Sequence, residues 1–319
     1  MIEGAQIDTL LSGPLGNWLE EQALVREQAK ADTVRRRWNA AIVLVPLAAI
    51  LIILVPIGPS IKLWITGLSA VAAWAWAEMP KKKAVKAVKV GINDAIAGSL
   101  GMTYSHDCDP ERPFDLARFC RLVPRHDRAS FEDRWSGHFG DIPFSLHEAK
   151  LEERQGSGKN RRWVTVFRGV IMSVGYKRRF SGTTVLVRDN RHRKFWGGKR
   201  DFVEVDGQRL DYAPMAHPDF EDTFDIYTSD RVEAHYLIDP LYIERLIALE
   251  AAYKGSDVGT IFHEGQIVVA LKTENLFESG SIEARDDRTR IETTLDQFAR
   301  LQDLARTLNE RGPVPGRQV

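Results

Sequence analysis

Apolar residues are spread unevenly along this chain, and the change in their spacing divides it. From Ala40 to Ile57 the sequence AAIVLVPLAAILIILVPI carries no charge. At about 1.5 Å per residue, a helix of that length reaches roughly 27 Å, close to the hydrocarbon thickness of a bilayer. A second run, LWITGLSAVAAWAWA from Leu63 to Ala77, suffices if Lys62 and the Glu78-Met79 end reach out to the interfaces. Gly58-Pro59-Ser60 between the runs supplies a helix stop and a turn. Trp38, Trp64, Trp74 and Trp76 fall near the ends of the runs, where an indole has one apolar and one wet neighbour. Pro46 should kink the first run. The pattern predicts a two-helix transmembrane hairpin over residues 38–80.

Charge around the runs gives the hairpin an orientation. Arg35-Arg36-Arg37 precede the first run, Lys81-Lys82-Lys83 with Lys86 and Lys89 follow the second, and the intervening turn has only Lys62. Positive charge near span ends stays cytoplasmic, so both termini are expected inside and the Gly58-Pro59-Ser60 turn outside. Ser69, Ala73 and Ala77 form a small-residue face along the second run. That face suits close packing either on the first run or on a second copy in a homo-oligomer.

Elsewhere the period changes. Residues 1–37 form a charged helical segment, with Asn17 and Glu20 placed as a capping box before a helix over Trp18–Arg37. Val85, Val88, Ile92 and Ile96 recur at helical spacing, so 81–113 is expected as a juxtamembrane basic helix with its linker. Its Lys81, Lys82 and Lys83 would lie against anionic headgroups. Residues 114–311 read as a soluble domain and 312–319 as a disordered tail. Within that domain, strands are predicted over Ile142–Leu151, Arg162–Tyr176, Thr183–Val187 and Asp201–Val205, with Phe224–Tyr227 and Ala234–Ile238 as further candidates. Helices are predicted over Phe114–Leu122, Pro240–Tyr253 and Thr293–Leu308, and His263-Glu264-Gly265-Gln266 marks a hairpin turn between strands Thr260–Phe262 and Ile267–Leu271. The ordering is not a regular βαβ alternation. An α+β fold with a largely antiparallel sheet and flanking helices therefore follows the transmembrane hairpin, with a closed or half-open barrel as the alternative.

Composition adds little at the level of averages: of 319 residues, 44% are hydrophobic and 28% charged, and formal charges cancel. Locally they do not. Between Arg161 and Arg200 there are twelve Lys or Arg against one acid, Asp189, whereas Asp201 to Ala234 holds ten acids against Arg209 and Arg231. Adjacent strands could pair these halves. Alternatively Lys177, Arg178, Arg179, Arg191, Arg193 and Lys194 could face the anionic inner leaflet. Binding of nucleic acid, with Phe195-Trp196 for stacking, is the least favoured reading. Two cysteines, Cys108 and Cys120, are too few for a disulfide framework and point to a reducing compartment, and Met1 to Glu27 lacks a secretory signal pattern.

Candidate chemistry is sparse. His106-Asp107-Cys108-Asp109 concentrates four possible metal ligands, but adjacent residues cannot all point inward and no matching cluster stands nearby in sequence, so a solvated loop with an Asp-Pro turn is expected. Gly156-Ser157-Gly158-Lys159 lacks the spacing of a phosphate loop and reads as a hairpin tip. His147-Glu148 lacks the second histidine of a zincin helix, and His138, His217, His235 and His263 stand alone. No catalytic residues, no metal and no cofactor are expected.

The stretches Val166-Phe167-Arg168-Gly169-Val170, Phe180-Ser181-Gly182-Thr183-Thr184-Val185 and Phe220-Glu221-Asp222-Thr223-Phe224-Asp225-Ile226-Tyr227 resemble an uncharacterised bacterial membrane family, domain of unknown function 3137. Ser229-Asp230-Arg231-Val232-Glu233-Ala234 and Leu237-Ile238-Asp239-Pro240 fit it too. The resemblance runs from about Lys81 to Leu308 and takes in the preceding apolar pair. It implies a bacterial inner-membrane protein without an established activity, and it points to the LemA membrane family as a partner. The expected function is a membrane-anchored, cytoplasm-facing interaction domain, a scaffold or sensor. The alternative is a membrane-tethered enzyme, a hydrolase, whose site the fold alone assembles, for example from Asp230, Glu233 and His235.

Overall fold

The computed structural model describes residues 4–176, 180–188, 200–205, 207–214 and 223–309. It divides into two compact units, Ile2–Ala95 with Glu278–Thr293, and Ile96–Phe277 with Thr294–Val319. The basic residues Lys177, Arg178, Arg179, Arg191, Arg193 and Lys194, the Phe195-Trp196 pair, His217 and the 312–319 tail lie outside the described residues.

The first unit is helical. Helix α1 spans Gly4–Ser12, α2 Pro14–Leu54 and α3 Pro59–Ser99. Pro14 stands in the first turn of α2, where its missing N–H costs nothing, and Gly13 is the N-cap. Asn17 is therefore inside the helix, and the expected capping box is not used. The helix runs on through Pro46 and ends at Val55, which is extended (φ −87°, ψ 123°) as a residue before proline should be. Lys62 Nζ reaches back to the Ile52 carbonyl at 2.6 Å. The one lysine of the turn thus satisfies a carbonyl that the end of α2 leaves open.

Two sheltered stripes run along this pair. On α2 the buried residues are Leu15, Leu19, Arg26, Ala29 and Thr33, and the stripe continues through half-covered Leu44, Ala48, Leu51 and Val55. On α3, Thr66, Ser69 and Ala73 are half-covered, while Ala77, Ala84, Val88 and Ile92 are buried. The small-residue face of Ser69, Ala73 and Ala77 is thus the sheltered side of its helix. Further down, a Cβ on Gly91 would meet the Trp18 ring at 2.2 Å, so glycine lets the indole lie flat on α3.

Glu278–Thr293 joins these helices from far along the chain. Arg26, 1% exposed, makes a bidentate pair with Asp287, both N–O distances being 2.7 Å, and also donates to the Ser281 and Leu19 carbonyls. Lys89 is buried against Glu278 at 2.9 Å, and Ser279 Oγ donates to Asn93 Oδ1 at 2.6 Å. The segment approaches α3 closely because residue 280 is glycine: a Cβ there would sit 2.5 Å from the Val85 carbonyl oxygen.

The second unit is built on a ten-stranded, wholly antiparallel sheet. Its strands are β1 Thr103–Asp107, β2 Arg128–Phe139, β3 Ile142–Gln155, β4 Arg162–Gly175, β5 Thr184–Arg188, β6 Phe202–Val205, β7 Gln208–Ala213, β8 Phe224–Thr228, β9 Ser256–His263 and β10 Gln266–Lys272. Their order is β1-β2-β3-β4-β10-β9-β5-β8-β7-β6. The α+β class with a large antiparallel sheet is thus observed. Glu264 and Gly265 at the β9–β10 turn have φ of 48° and 74°, the pair of positive values that a two-residue hairpin needs.

Helix α4, Arg112–Phe119, covers one sheet face, where Phe114, Leu116 and Ala117 pack with Leu151, Phe167, Ile171, Val185 and Ile261. On the other face lie α6, Pro240–Ala252, and the Phe298 end of α7, Asp287–Asn309. Tyr242 lies tilted against Phe262 at 5.4 Å between ring centres, and Trp135 against Phe298 at 4.4 Å.

Ala234–Ile238, predicted as a strand, is instead part of helix α5, Arg231–Leu237. The Asp230 carboxylate accepts from the Val232 and Glu233 amides at 3.0 Å each, so a local N-cap outweighs the β-leaning residues after it. Strands β1, β2 and β7 have no counterpart in the expectation. In β2 a bulge between Glu132 and Trp135 shifts the register and hides the alternation.

Candidate functional site

Two regions carry chemistry that the fold itself does not explain. The first is the apolar end of the helical unit. Ile42, Val43, Val45, Leu47, Ile50, Ile52, Ile53 and Leu54 are each at least half exposed, Ile53 at 76%, and on α3 Leu63 and Trp64 reach 77%. Burying a side chain of this kind is worth about 1.5–3 kcal/mol, so leaving eight of them in water forgoes on the order of 15 kcal/mol. Among the described residues α2 is the one helix long and apolar enough to cross a membrane. Where the apolar residues stop, charge begins: Arg37 pairs with Glu78, and Arg36 lies over the Trp76 ring at 4.8 Å. Lys82 and Lys83 are exposed beyond it and Lys81 is half-buried, whereas Lys89 is turned inward to Glu278.

The second region is at the β1 edge of the sheet. Alternation along Thr103–Asp107 turns Tyr104 and His106 to one side. The β2 bulge brings Asp133 to them, fully buried and with φ of 56°, a value that a non-glycine residue seldom adopts. Its Oδ1 accepts from the Tyr104 hydroxyl at 2.6 Å and lies 2.9 Å from His106 Nδ1. Glu132, half-buried, completes a group in which one ligand atom each from His106, Glu132 and Asp133 lie within 4.8 Å of one another. Sequence reading found no partner for His106 because its partners are on the next strand. The available signal was the i, i+2 spacing of Tyr104 and His106, had β1 been recognised. Burial above all, with Asp133 adding to it against the opposing Arg134, pushes the nearby Cys108 thiol up to about 11.

Other candidates disperse. Asp230 caps α5, Glu233 accepts from the Ser181 and Gly182 amides at 3.1 and 2.7 Å, and His235 is exposed. The two carboxylates therefore serve local backbone structure, while His235 faces outward. The Gly156–Lys159 stretch is the tip between antiparallel β3 and β4. Of the basic segment, Arg188 pairs with Glu250 of α6 and lies 4.4 Å over the Phe224 ring. A cleft of about 670 Å³ lined by Arg118, Arg121, Arg125 and His126 together with Asp127 and Glu153 was not foreseen. Burial first, then Arg200 and Arg125, lower the Arg121 pKa.

Fold and exposed belt together define an α+β protein bearing one helix fit to cross a membrane. Residues 165–310 match the family model described as "Protein of unknown function (DUF3137)", so the chain resembles that family from within β4 onward, a shorter stretch than the expected Lys81–Leu308. No curated protein matches it. Among solved structures, the crystal structure of the mycobacterial trehalose monomycolate transport factor A, TtfA, is similar at 11% identity and a TM-score of 0.31, covering 73% of this chain and 98% of that one. That likeness is too loose to carry a fold assignment.

Proposed function

We propose that this chain is a two-pass bacterial inner-membrane protein whose sheet domain faces the cytoplasm and acts as a scaffold or sensor without catalysis of its own. The observation that carries the reading is the uncharged, outward-facing belt of α2 from Ala40 to Leu54. Water offers those side chains nothing, and a bilayer offers each its transfer free energy. The shorter apolar stretch of α3 makes the second pass, with Trp64, Trp74 and Trp76 at its interfaces and Lys62 tied to the end of α2. Arg35, Arg36 and Arg37 with Lys81, Lys82 and Lys83 hold the inner side, where the three lysines contact anionic headgroups. The basic residues between Lys177 and Lys194 are a further candidate for that contact. The domain's partner is a membrane protein, of which the LemA family is the candidate that the family resemblance suggests.

Topology reporters test this. A reporter active only in the cytoplasm is expected to work when fused before Met1 and when fused after Val319. A periplasm-only reporter that works at either end overturns the orientation.

A further inference from the structure

We propose that His106, Glu132 and Asp133 form a binding site for one divalent transition-metal cation of the Mn²⁺ or Zn²⁺ class, with Tyr104 as its outer partner. The proposal is independent of the membrane reading. The three side chains come from neighbouring strands, and one ligand atom of each lies within 4.8 Å of the others. His106 Nδ1 and Asp133 Oδ1 stand 2.9 Å apart. At bond lengths of about 2.1 Å, neighbouring ligands are about 3.0 Å apart in an octahedral shell and about 3.4 Å apart in a tetrahedral one, so a cation fits this edge with little movement. An imidazole with two carboxylates is a borderline-to-hard donor set, which suits Mn²⁺ or Zn²⁺ rather than a thiolate-seeking ion.

The surroundings point the same way. Glu148, 4% exposed on β3, stands directly across from Glu132 in register. Two carboxylates therefore stand side by side across β2 and β3, an arrangement that a cation bound through Glu132 would favour. The Tyr104 hydroxyl donates to the same Asp133 Oδ1 at 2.6 Å and fixes the position of that oxygen. The bulge at Glu132–Trp135 is what delivers Asp133 to the site, at the cost of a positive φ.

The test uses the full chain, purified in detergent, stripped with EDTA and dialysed. It is titrated with MnCl₂ and separately with ZnCl₂ by equilibrium dialysis with elemental analysis, and bound Mn²⁺ is also read by electron paramagnetic resonance. The expected result is one saturable equivalent of at least one of these ions. His106→Ala and Glu132→Gln should each weaken binding about tenfold or more, and Tyr104→Phe about tenfold. His138→Ala, at an exposed position of β2, should leave it unchanged. Glu132 is only half-buried, so its variant should keep the fold, checked by circular dichroism, even if changes at Asp133 do not. No saturable binding of either ion, or binding equally tight in Glu132→Gln and the parent, overturns the site.

Discussion

Residues 15–33 and residues 40–54 of helix α2 belong to one continuous helix, yet they meet their surroundings in opposite ways. In the first stretch the sheltered stripe is deeply buried and includes Arg26, while Glu20, Glu21, Glu27 and Gln28 face outward. In the second the sheltered stripe is only half-covered, and the outward residues are Ile, Val and Leu. A helix with one apolar stripe is built to pack on its neighbours in water, whereas one apolar all round needs an apolar medium. The contrast separates a part of the chain whose stability comes from packing and polar pairing from a part whose outward face calls for an apolar medium.

Arg26 gives the largest effect on the packed side. Arg26→Ala leaves Asp287 buried without its guanidinium, and a loss of about 3–5 kcal/mol is expected in denaturant unfolding of the detergent-solubilised protein. The double variant Arg26→Met/Asp287→Leu should recover most of that loss, because the penalty belongs to the stranded charge. A small effect of the single variant would mean that Glu278–Thr293 does not dock on the helices.

The sheet domain extends the comparison to pH. Burial, with Arg134 adding to it, holds the His147 imidazole down at about 4. A histidine depressed in the folded state binds its proton more readily when unfolded, at an ordinary value of 6.5. Its contribution is therefore complete above about pH 6.5 and is lost as pH falls toward 4, by roughly 3 kcal/mol in all. Stability measured across that window should slope downward in the parent and flatten in His147→Phe.

Gly280→Ala is next: its Cβ would meet the Val85 carbonyl oxygen and the Lys89 side chain at 2.5 and 2.8 Å. Overpacking of this kind costs about 1–3 kcal/mol, read as a shift of the unfolding midpoint. The smallest effect falls on the belt, where Ile53→Ala should change stability in micelles by less than about 0.5 kcal/mol. A loss comparable to that of Arg26→Ala would show that Ile53 packs against protein after all.

The same contrast explains what the sequence made legible. The uncharged belt, the Gly58-Pro59 break, strands β3 and β4, helix α6 and the Glu264-Gly265 turn are written in local periodicity and turn chemistry, so a linear reading reaches them. Helix α5 was misread because a single carboxylate, Asp230, decided it against the side chains that follow. Strand β2 was missed because a bulge breaks its period, and the group around His106 with it, since Glu132 and Asp133 arrive through that bulge. The Arg26–Asp287 pair joins residues 261 positions apart, and no periodicity records such a meeting.

Alkaline carbonate extraction of membranes from cells expressing the full chain tests the central claim most directly, because it releases proteins held by polar contacts and retains those embedded in hydrocarbon. The chain is predicted to remain in the membrane pellet through the wash, and to enter the supernatant only when detergent is added. Quantitative release by carbonate alone would contradict it, and would mean that the outward face of Ala40–Leu54 is covered by protein rather than lipid.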